Sequence, residues 1–252
     1  MTRGAVVVAG GTGLVGSQLV EALLGAGRAV TLISRQPDRV PARDGLSAVD
    51  WSDLPAAIEG AAAVVNLAGE GIADAPWTPA RKLALTHSRL VPTAMLVGAM
   101  AKTTVPPPVL INASAVGIYR PDPPELQTED SPCALDFLGM LCQSWEAEAA
   151  RAESLGVRVV CLRTGIVLAA EGGALPRMAA PFRAFAGCPL GTGAQGMSWI
   201  HLQDLVALVL WALDTPRLSA LAASASQDWQ SMPRKSRAQG LSSVCSSGGS
   251  GR

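Results

Sequence analysis

The residues whose types and spacing best suit chemistry stand at the amino terminus. Gly10, Gly11, Thr12, Gly13, Leu14, Val15 and Gly16 follow an apolar, β-prone run, Ala5 to Ala9. An amphipathic stretch follows, with Val15, Leu19, Val20, Leu23 and Leu24 at helical spacing. Strand, tight turn and helix form the setting in which a glycine-rich turn can cradle a dinucleotide. Gly10 can adopt the positive φ such a turn uses. Gly13 lets the backbone approach a pyrophosphate with no Cβ in the way, and Gly16 lets the helix pack close to the strand. The helix N-terminus then offers free N–H groups and a positive dipole end. A turn that serves only the fold is the alternative, but the position and both flanks favour binding.

The second chemical clue is a missing acid. About 20 residues past the glycine turn, an Asp or Glu would hold the ribose 2′-hydroxyl of NAD. Ser34-Arg35 stands there instead, with Arg39 as a nearby second cation. Arg35 can pair with a 2′-phosphate and Ser34 can hydrogen-bond it, so NADP is expected in preference to NAD. An ordinary exposed strand-end arginine is the competing reading.

These residues need a scaffold, and strand and helix signals alternate along the chain as in a parallel sheet covered on both faces. Strands are expected at Ala5–Ala9, Ala29–Ser34, Leu46–Asp50, Ala62–Leu67, Val109–Ala113 and Val157–Leu162. Helices are expected at Leu14–Leu24, from Thr78-Pro79 onward, at Phe137–Ser154 with Glu146 and Glu148 exposed, and at Leu202–Leu213. Thr78 is a natural N-cap with Pro at the first helical position, and Pro92 should kink or restart that helix. Residues 164–200, rich in Gly and Pro, suit a small, incomplete substrate-side lobe. The expected fold is therefore a Rossmann-like, doubly wound parallel sheet over residues 1–220.

Composition sets bounds. The chain has 252 residues, 49% of them apolar, and zero formal net charge. That core suffices for one large α/β domain, and no basic field argues for nucleic acid. The five cysteines show no Cys-x2-Cys spacing, so no zinc site is expected. No apolar run reaches the roughly 18 residues of a membrane span. An odd cysteine count without a secretory signal suggests a cytoplasmic, reducing compartment.

By this point the residues resemble a family. The glycine turn, Ser34-Arg35 and Asn66-Leu67-Ala68-Gly69-Glu70 are similar to the extended short-chain dehydrogenase/reductases, and more narrowly to their epimerase-like, atypical subgroup. Trp77 with Ser88-Arg89, Ser114 to Tyr119, Glu129 to Pro132, Cys142 to Glu146, Arg163 to Leu168 and Trp199-Ile200-His201 continue the likeness over roughly residues 4 to 215. The resemblance implies pyrophosphate contacts from the glycine turn and 2′-phosphate contacts from Ser34 and Arg35. It implies Leu67 and Ala68 along the cofactor, with Arg89 and Arg163 as polar contacts at its cleft. Strand-end packing for Leu67 and Ala68, and a solvated helix arginine for Arg89, are the plainer readings.

Catalysis departs from the family. Its usual Tyr-x3-Lys is absent: the one tyrosine is Tyr119, the residue four places on is Pro123, and the lysines are Lys82, Lys102 and Lys235. Aligned on Glu146, the dyad positions fall near Leu138 and Cys142. Ser114, which could polarise a substrate carbonyl, and Tyr119, as acid or base, are the catalytic candidates. Without a cation nearby the phenol should stay near about 10; Arg120, next to it in sequence, is the cation that could help. Ser114 as a turn cap, Tyr119 as the pocket floor, Cys142 as a buried hydrophobe and His201 at a helix N-terminus are the structural alternatives.

Three functional readings follow. One is an NADP-dependent oxidoreductase or epimerase acting on a small carbonyl or sugar-like substrate. Another is a dinucleotide-binding regulatory protein that keeps the fold without the chemistry. The third is a truncated or frameshifted variant, because residues 221–252 are Ser-, Gly-, Ala- and Arg-rich and lack hydrophobic periodicity. That tail is expected to be disordered. With no apolar run left for another strand, the sheet should keep an exposed edge, which invites association into a homo-oligomer.

Overall fold

The computed structural model describes residues 4–120, 127–188, 191, 193, 196–215 and 220–223. Its centre is β1 (Val6–Ala9), four residues buried on both sides. Such a strand has no polar face to show solvent, as parallel strands covered by helices require. The chain turns into α1 (Leu14–Gly25), then β2 (Val30–Ile33), β3 (Leu46–Val49), α2 (Leu54–Ile58) and β4 (Ala63–Asn66). Next come α3 (Pro79–Met100), β5 (Val109–Ala115), α4 (Phe137–Ala150) and β6 (Arg158–Thr164). The last elements are β7 (Ile166–Ala169), β8 (Gly172–Gly173), α5 (Ala174–Arg183), β9 (Trp199–His201), α6 (Leu202–Asp214) and β10 (Ala220–Ala223).

Seven strands form one sheet in the order β10-β6-β5-β4-β1-β2-β3, and all its pairings are parallel. The order reverses between β1 and β4, so the fold is the expected doubly wound Rossmann type. Alternate residues of β1 serve opposite faces. Val6 and Val8 pack with Leu19 and Leu23 of α1 and Leu205 and Val209 of α6. Val7 and Ala9 pack with Leu54 and Ile58 of α2 and Leu96, Val97 and Met100 of α3. A second sheet of three strands, β8-β7-β9, stands beyond the end of β6 and carries α5. Its strands, two to four residues long, are too short to show a repeating apolar pattern in the sequence.

Two expectations are corrected. Pro92 does not restart α3, which runs unbroken from Pro79 to Met100. The Thr93 hydroxyl donates to the Arg89 carbonyl at 2.7 Å in the turn that the proline loosens, and Leu85, Leu96 and Val97 bury the helix around it. Secondly, the sheet does gain a strand beyond the last helix. Ala220–Ala223 pairs with Cys161 to Thr164 of β6, so strand geometry reaches into the stretch expected to be disordered. Main-chain hydrogen bonding to the open edge of β6 drives this pairing, and alanine runs give no strand signal in sequence. The rest of that tail, residues 224–252, lies outside the described residues.

Candidate functional site

Because the strands are parallel, their carboxyl ends share one rim, where ligands bind in open α/β sheets. Gly10 ends β1 there with φ 79°, and a Cβ on it would come within 2.6 Å of the Leu67 carbonyl. At Gly16 a Cβ would run into the carbonyl oxygen of Gly10. Both glycines are thus demanded by the fold. Gly13 is not. Its φ of −77° suits any residue, and a Cβ there would meet only the Gly10 carbonyl oxygen, at 3.4 Å. The space before Gly13 is what a side chain would fill and a phosphate can use. Gly13 is also the N-cap of α1 and gives it no side-chain cap, so the first-turn N–H groups are left for an anion. The residues therefore fit a dinucleotide pyrophosphate.

Beyond β2, Ser34 Oγ accepts from the Gln36 N–H at 3.1 Å, which leaves its hydroxyl hydrogen to donate. Arg35 and Arg39 are exposed. Among the described residues no carboxylate pairs with either.

At the end of β4, Leu67 donates to Ala9 across the sheet at 2.9 Å and the Ala68 N–H donates to Asn66 Oδ1 at 3.2 Å. Asn66, Asn112 and Thr93 are fully buried and satisfy one another. Asn66 Nδ2 donates to Thr93 Oγ1 at 2.9 Å and to Asn112 Oδ1 at 2.7 Å. Trp145 Nε1 also donates to Thr93 Oγ1, at 2.9 Å. This network fixes the ends of β4 and β5 against α3 and α4.

Arg89 is not a freely solvated helix arginine. It lies over the Trp145 ring at 5.3 Å and donates to the carbonyls of Leu85 and Glu70 at 3.1 and 2.9 Å. Burial pulls its pKa below the ordinary arginine value. Its guanidinium also lies against Gly69, 3.5 Å from where a Cβ would stand. Arg81 bonds Glu70 and the Gly71 carbonyl, and Arg177 of α5 reaches the Ala73 carbonyl and Asp74 at 3.1 and 3.2 Å. The loop after β4 is thereby strapped between α3 and α5.

The catalytic candidates come together at the ends of β5 and β6, where Ser114 is in register with Arg163. Ser114 Oγ donates to Glu146 Oε1 at 2.6 Å. Arg163 meets the same carboxylate through two nitrogens, at 2.9 and 2.8 Å. Its third nitrogen donates to Tyr119 Oη at 2.9 Å and to the Glu129 carbonyl at 2.7 Å. Glu146, expected to be exposed, has a side chain only 15% accessible, because the two-point pair with Arg163 makes its burial tolerable. Arg163, which the resemblance turns toward the cofactor, is committed to Glu146, Tyr119 and Glu129. Ser114 is not a turn cap; its hydrogen goes to Glu146.

The cation that meets the phenol is Arg163, distant in sequence, at 2.9 Å. Burial still dominates and raises the Tyr119 pKa, with the Arg163 hydrogen bond opposing it. Cys142 is buried beside Glu146, and burial pushes its thiol up to about 11. It is no nucleophile at neutral pH. His201 caps α6, its Nδ1 accepting from the Gln203 N–H at 3.2 Å. Sequence reasoning missed Glu146 as a site residue. The available signal was its place on α4, four residues after Cys142 and next to Trp145, on the face that meets β5. Among the described residues no cluster suits a metal ion, and no helix is long and apolar enough to cross a membrane.

The comparisons with known proteins fit this geometry. The sequence profile of the NAD dependent epimerase/dehydratase family matches residues 6–221. The epimerase family protein Mb2239 of Mycobacterium bovis is 40% identical over 224 residues, covering 87% of this chain and 72% of its own. SSP1921 of Staphylococcus saprophyticus, also called an epimerase family protein, is 39% identical over 212 residues, covering 83% of this chain and 70% of its own. Among solved structures, the human epimerase family protein SDR39U1 (isoform 2), crystallised with NADPH, superposes with a TM-score of 0.78 at 35% identity. That match covers 88% of this chain and 74% of the human one. The chain belongs to the NAD dependent epimerase/dehydratase family and has the extended short-chain dehydrogenase/reductase fold.

Proposed function

We propose that this family member is an NADP(H)-binding, epimerase-like oxidoreductase acting on a small carbonyl or sugar-like substrate. The observation that carries the reading is the contrast within the glycine turn, where Gly13 alone keeps clear a space the fold does not need. Ser34 and Arg35 would hold a 2′-phosphate, with Arg39 near, through charge-assisted hydrogen bonds. The co-crystallised NADPH of the human relative supports that choice. Gly10 to Gly16 would hold the pyrophosphate, Leu67 and Ala68 would lie along the cofactor, and Arg89 beside Gly69 would line its cleft. When bound, the nicotinamide supplies or accepts a hydride. Ser114 and Tyr119 are the hydroxyl groups offered to the substrate, and β7, β9 and α5 form its side of the cleft. The test is fluorescence titration with NADPH and NADH at fixed salt, followed by a panel of aldehydes, ketones and keto-sugars. At least tenfold tighter NADPH binding supports the reading; equal affinities refute the NADP preference.

A second reading, a dinucleotide-binding regulatory protein, has its own observation. Aligned on Glu146, the family's dyad positions fall near Leu138 and Cys142, which are neither phenol nor ammonium, and the two described lysines are elsewhere. Lys82 lies over the Phe137 ring at 5.1 Å and Lys102 borders a groove between α2 and α3. NADPH binding with no turnover across the panel would favour this reading.

A further inference from the structure

The two candidate hydroxyls differ in what they can still give. Ser114 is 5% exposed and Tyr119 6% exposed. A hydroxyl has one hydrogen and two lone pairs. Glu146 as a carboxylate only accepts, so the 2.6 Å contact spends the Ser114 hydrogen. Arg163 only donates, so the 2.9 Å contact to Tyr119 fills a phenolic lone pair and leaves the phenolic hydrogen unspent. Among the described residues that hydrogen meets no acceptor.

We propose that Glu146 and Arg163 are positioning residues that set opposite hydrogen-bond polarity on the two hydroxyls, Ser114 as the acceptor and Tyr119 as the proton donor toward substrate. The inference rests on the substrate-site reading above and deepens it. It reverses the role that position alone gives Ser114, because a serine whose hydrogen is held by a carboxylate cannot polarise a carbonyl. The complementary ligand carries a carbonyl oxygen for Tyr119 and a neighbouring hydroxyl for Ser114, which is the α-hydroxycarbonyl unit of a keto-sugar. Were a bound reduced dinucleotide to supply a hydride to the carbonyl carbon, the C=O π pair would pass to oxygen. That oxygen takes the Tyr119 proton, the ketone becomes an alcohol, and the phenolate regains a proton from water. The Arg163 guanidinium at 2.9 Å stabilises the charge in the interval. It does from β6 what a lysine one helical turn after the tyrosine does in the dyad. Burial keeps the phenol protonated at neutral pH, as an acid requires.

Tyr119 is the one tyrosine of the chain, so its ultraviolet resonance Raman doublet, which reports phenol hydrogen bonding, is read without ambiguity. The experiment uses the full chain with NADP+, before and after addition of dihydroxyacetone as the probe. Wild type should show an acceptor-only phenol that gains a donor signature with the probe. Arg163→Met should lose the acceptor signature, and Arg163→Lys should restore it. In NADPH-dependent reduction of α-hydroxycarbonyls, Tyr119→Phe should lower kcat by about 100-fold or more with little change in KM, whereas Ser114→Ala should act mainly on KM. A phenol that already donates before the probe is added, or one the probe leaves unchanged, overturns the proposal. Failure of NADPH to bind by fluorescence would instead overturn the functional reading, while the acceptor signature set by Arg163 would persist.

Discussion

Replacing Gly13 by alanine separates a ligand requirement from a folding requirement. The new methyl would sit 3.4 Å from its nearest neighbour, the Gly10 carbonyl oxygen, at a φ of −77° and ψ of 175° that alanine adopts freely. Two stability effects oppose each other. Alanine is a poorer N-cap than glycine, by up to about 1 kcal/mol. It also restricts the unfolded chain, which returns about 0.4–1 kcal/mol. The net change should be within about 1 kcal/mol, a shift in Tm of no more than ~4 °C for a chain of this length. Binding should respond far more. The methyl occupies the approach to the first-turn N–H groups, and losing one or two charge-assisted hydrogen bonds, each worth about 1.5–3 kcal/mol, weakens NADPH by about 10-fold to 10⁴-fold. Gly13→Val should abolish binding. Gly16→Ala is the control of opposite sign: its Cβ meets the Gly10 carbonyl and the Gly11 Cα, an overpacking that costs about 1–3 kcal/mol. NADPH fluorescence titration and thermal melts by circular dichroism read both effects. A folded Gly13→Val protein that binds NADPH like wild type would refute the assignment of the glycine turn to the pyrophosphate.

Arg35→Asp should remove the preference for NADPH over NADH, a change of about tenfold or more, measured by parallel titrations at one salt concentration; an unchanged ratio would place the 2′-phosphate elsewhere. Thr93→Val strands the Trp145 N–H and removes one Asn66 contact, so denaturant unfolding should show a loss of about 1–3 kcal/mol. Glu146→Gln leaves the Arg163 guanidinium, whose side chain is 13% accessible, without its anion, and should destabilise by about 3 kcal/mol. A neutral result there would mean that Tyr119 and Glu129 suffice to hold Arg163. Burial raises the thiols of Cys142 and Cys161 from 9.0 to about 11 and about 12. Folded-state pKa values above the unfolded ones leave stability intact below pH 9 and remove it as pH climbs through 9 to about 12. Alkaline denaturation should therefore soften in the Cys142→Ala, Cys161→Ala double variant, and at pH 8 an alkylating reagent should label the exposed Cys188 while sparing the buried pair.

The parts of the fold with periodic apolar runs were legible in the sequence. β1, α1, β2, β4, β5, β6 and α6 fall within a residue or two of the apolar segments that announce them, since burial on one or both faces is what writes that pattern. Short elements held by main-chain pairing were not. The two-residue β8 and the alanine strand β10 take their geometry from neighbours, and no local composition encodes a neighbour. The site divides the same way. Gly10 to Gly16 and Ser34-Arg35 are local motifs, visible as spacing. The Ser114–Glu146–Arg163–Tyr119 chain joins two strands, a helix and a loop, and no interval between those residues foretells that they meet. Even Glu146 reads as a surface residue until its partner on β6 is placed beside it.

The strand order carries a consequence for how the chain assembles. As the polypeptide lengthens from its amino terminus, β1, β2 and β3 can pair within residues 6–49, each crossover short and local. The other edge of β1 must wait for Ala63–Asn66, and β10 must reach β6 from more than fifty residues further along. Parallel pairings of such sequence separation cost loop-closure entropy before they return any contact energy, and they slow folding. During that interval Val6 to Ala9 present a fully apolar strand with one edge unpaired, the sort of surface that draws incomplete chains together. Synthesis rate and chaperone supply, rather than final stability, should then govern how much of this protein is recovered in active form.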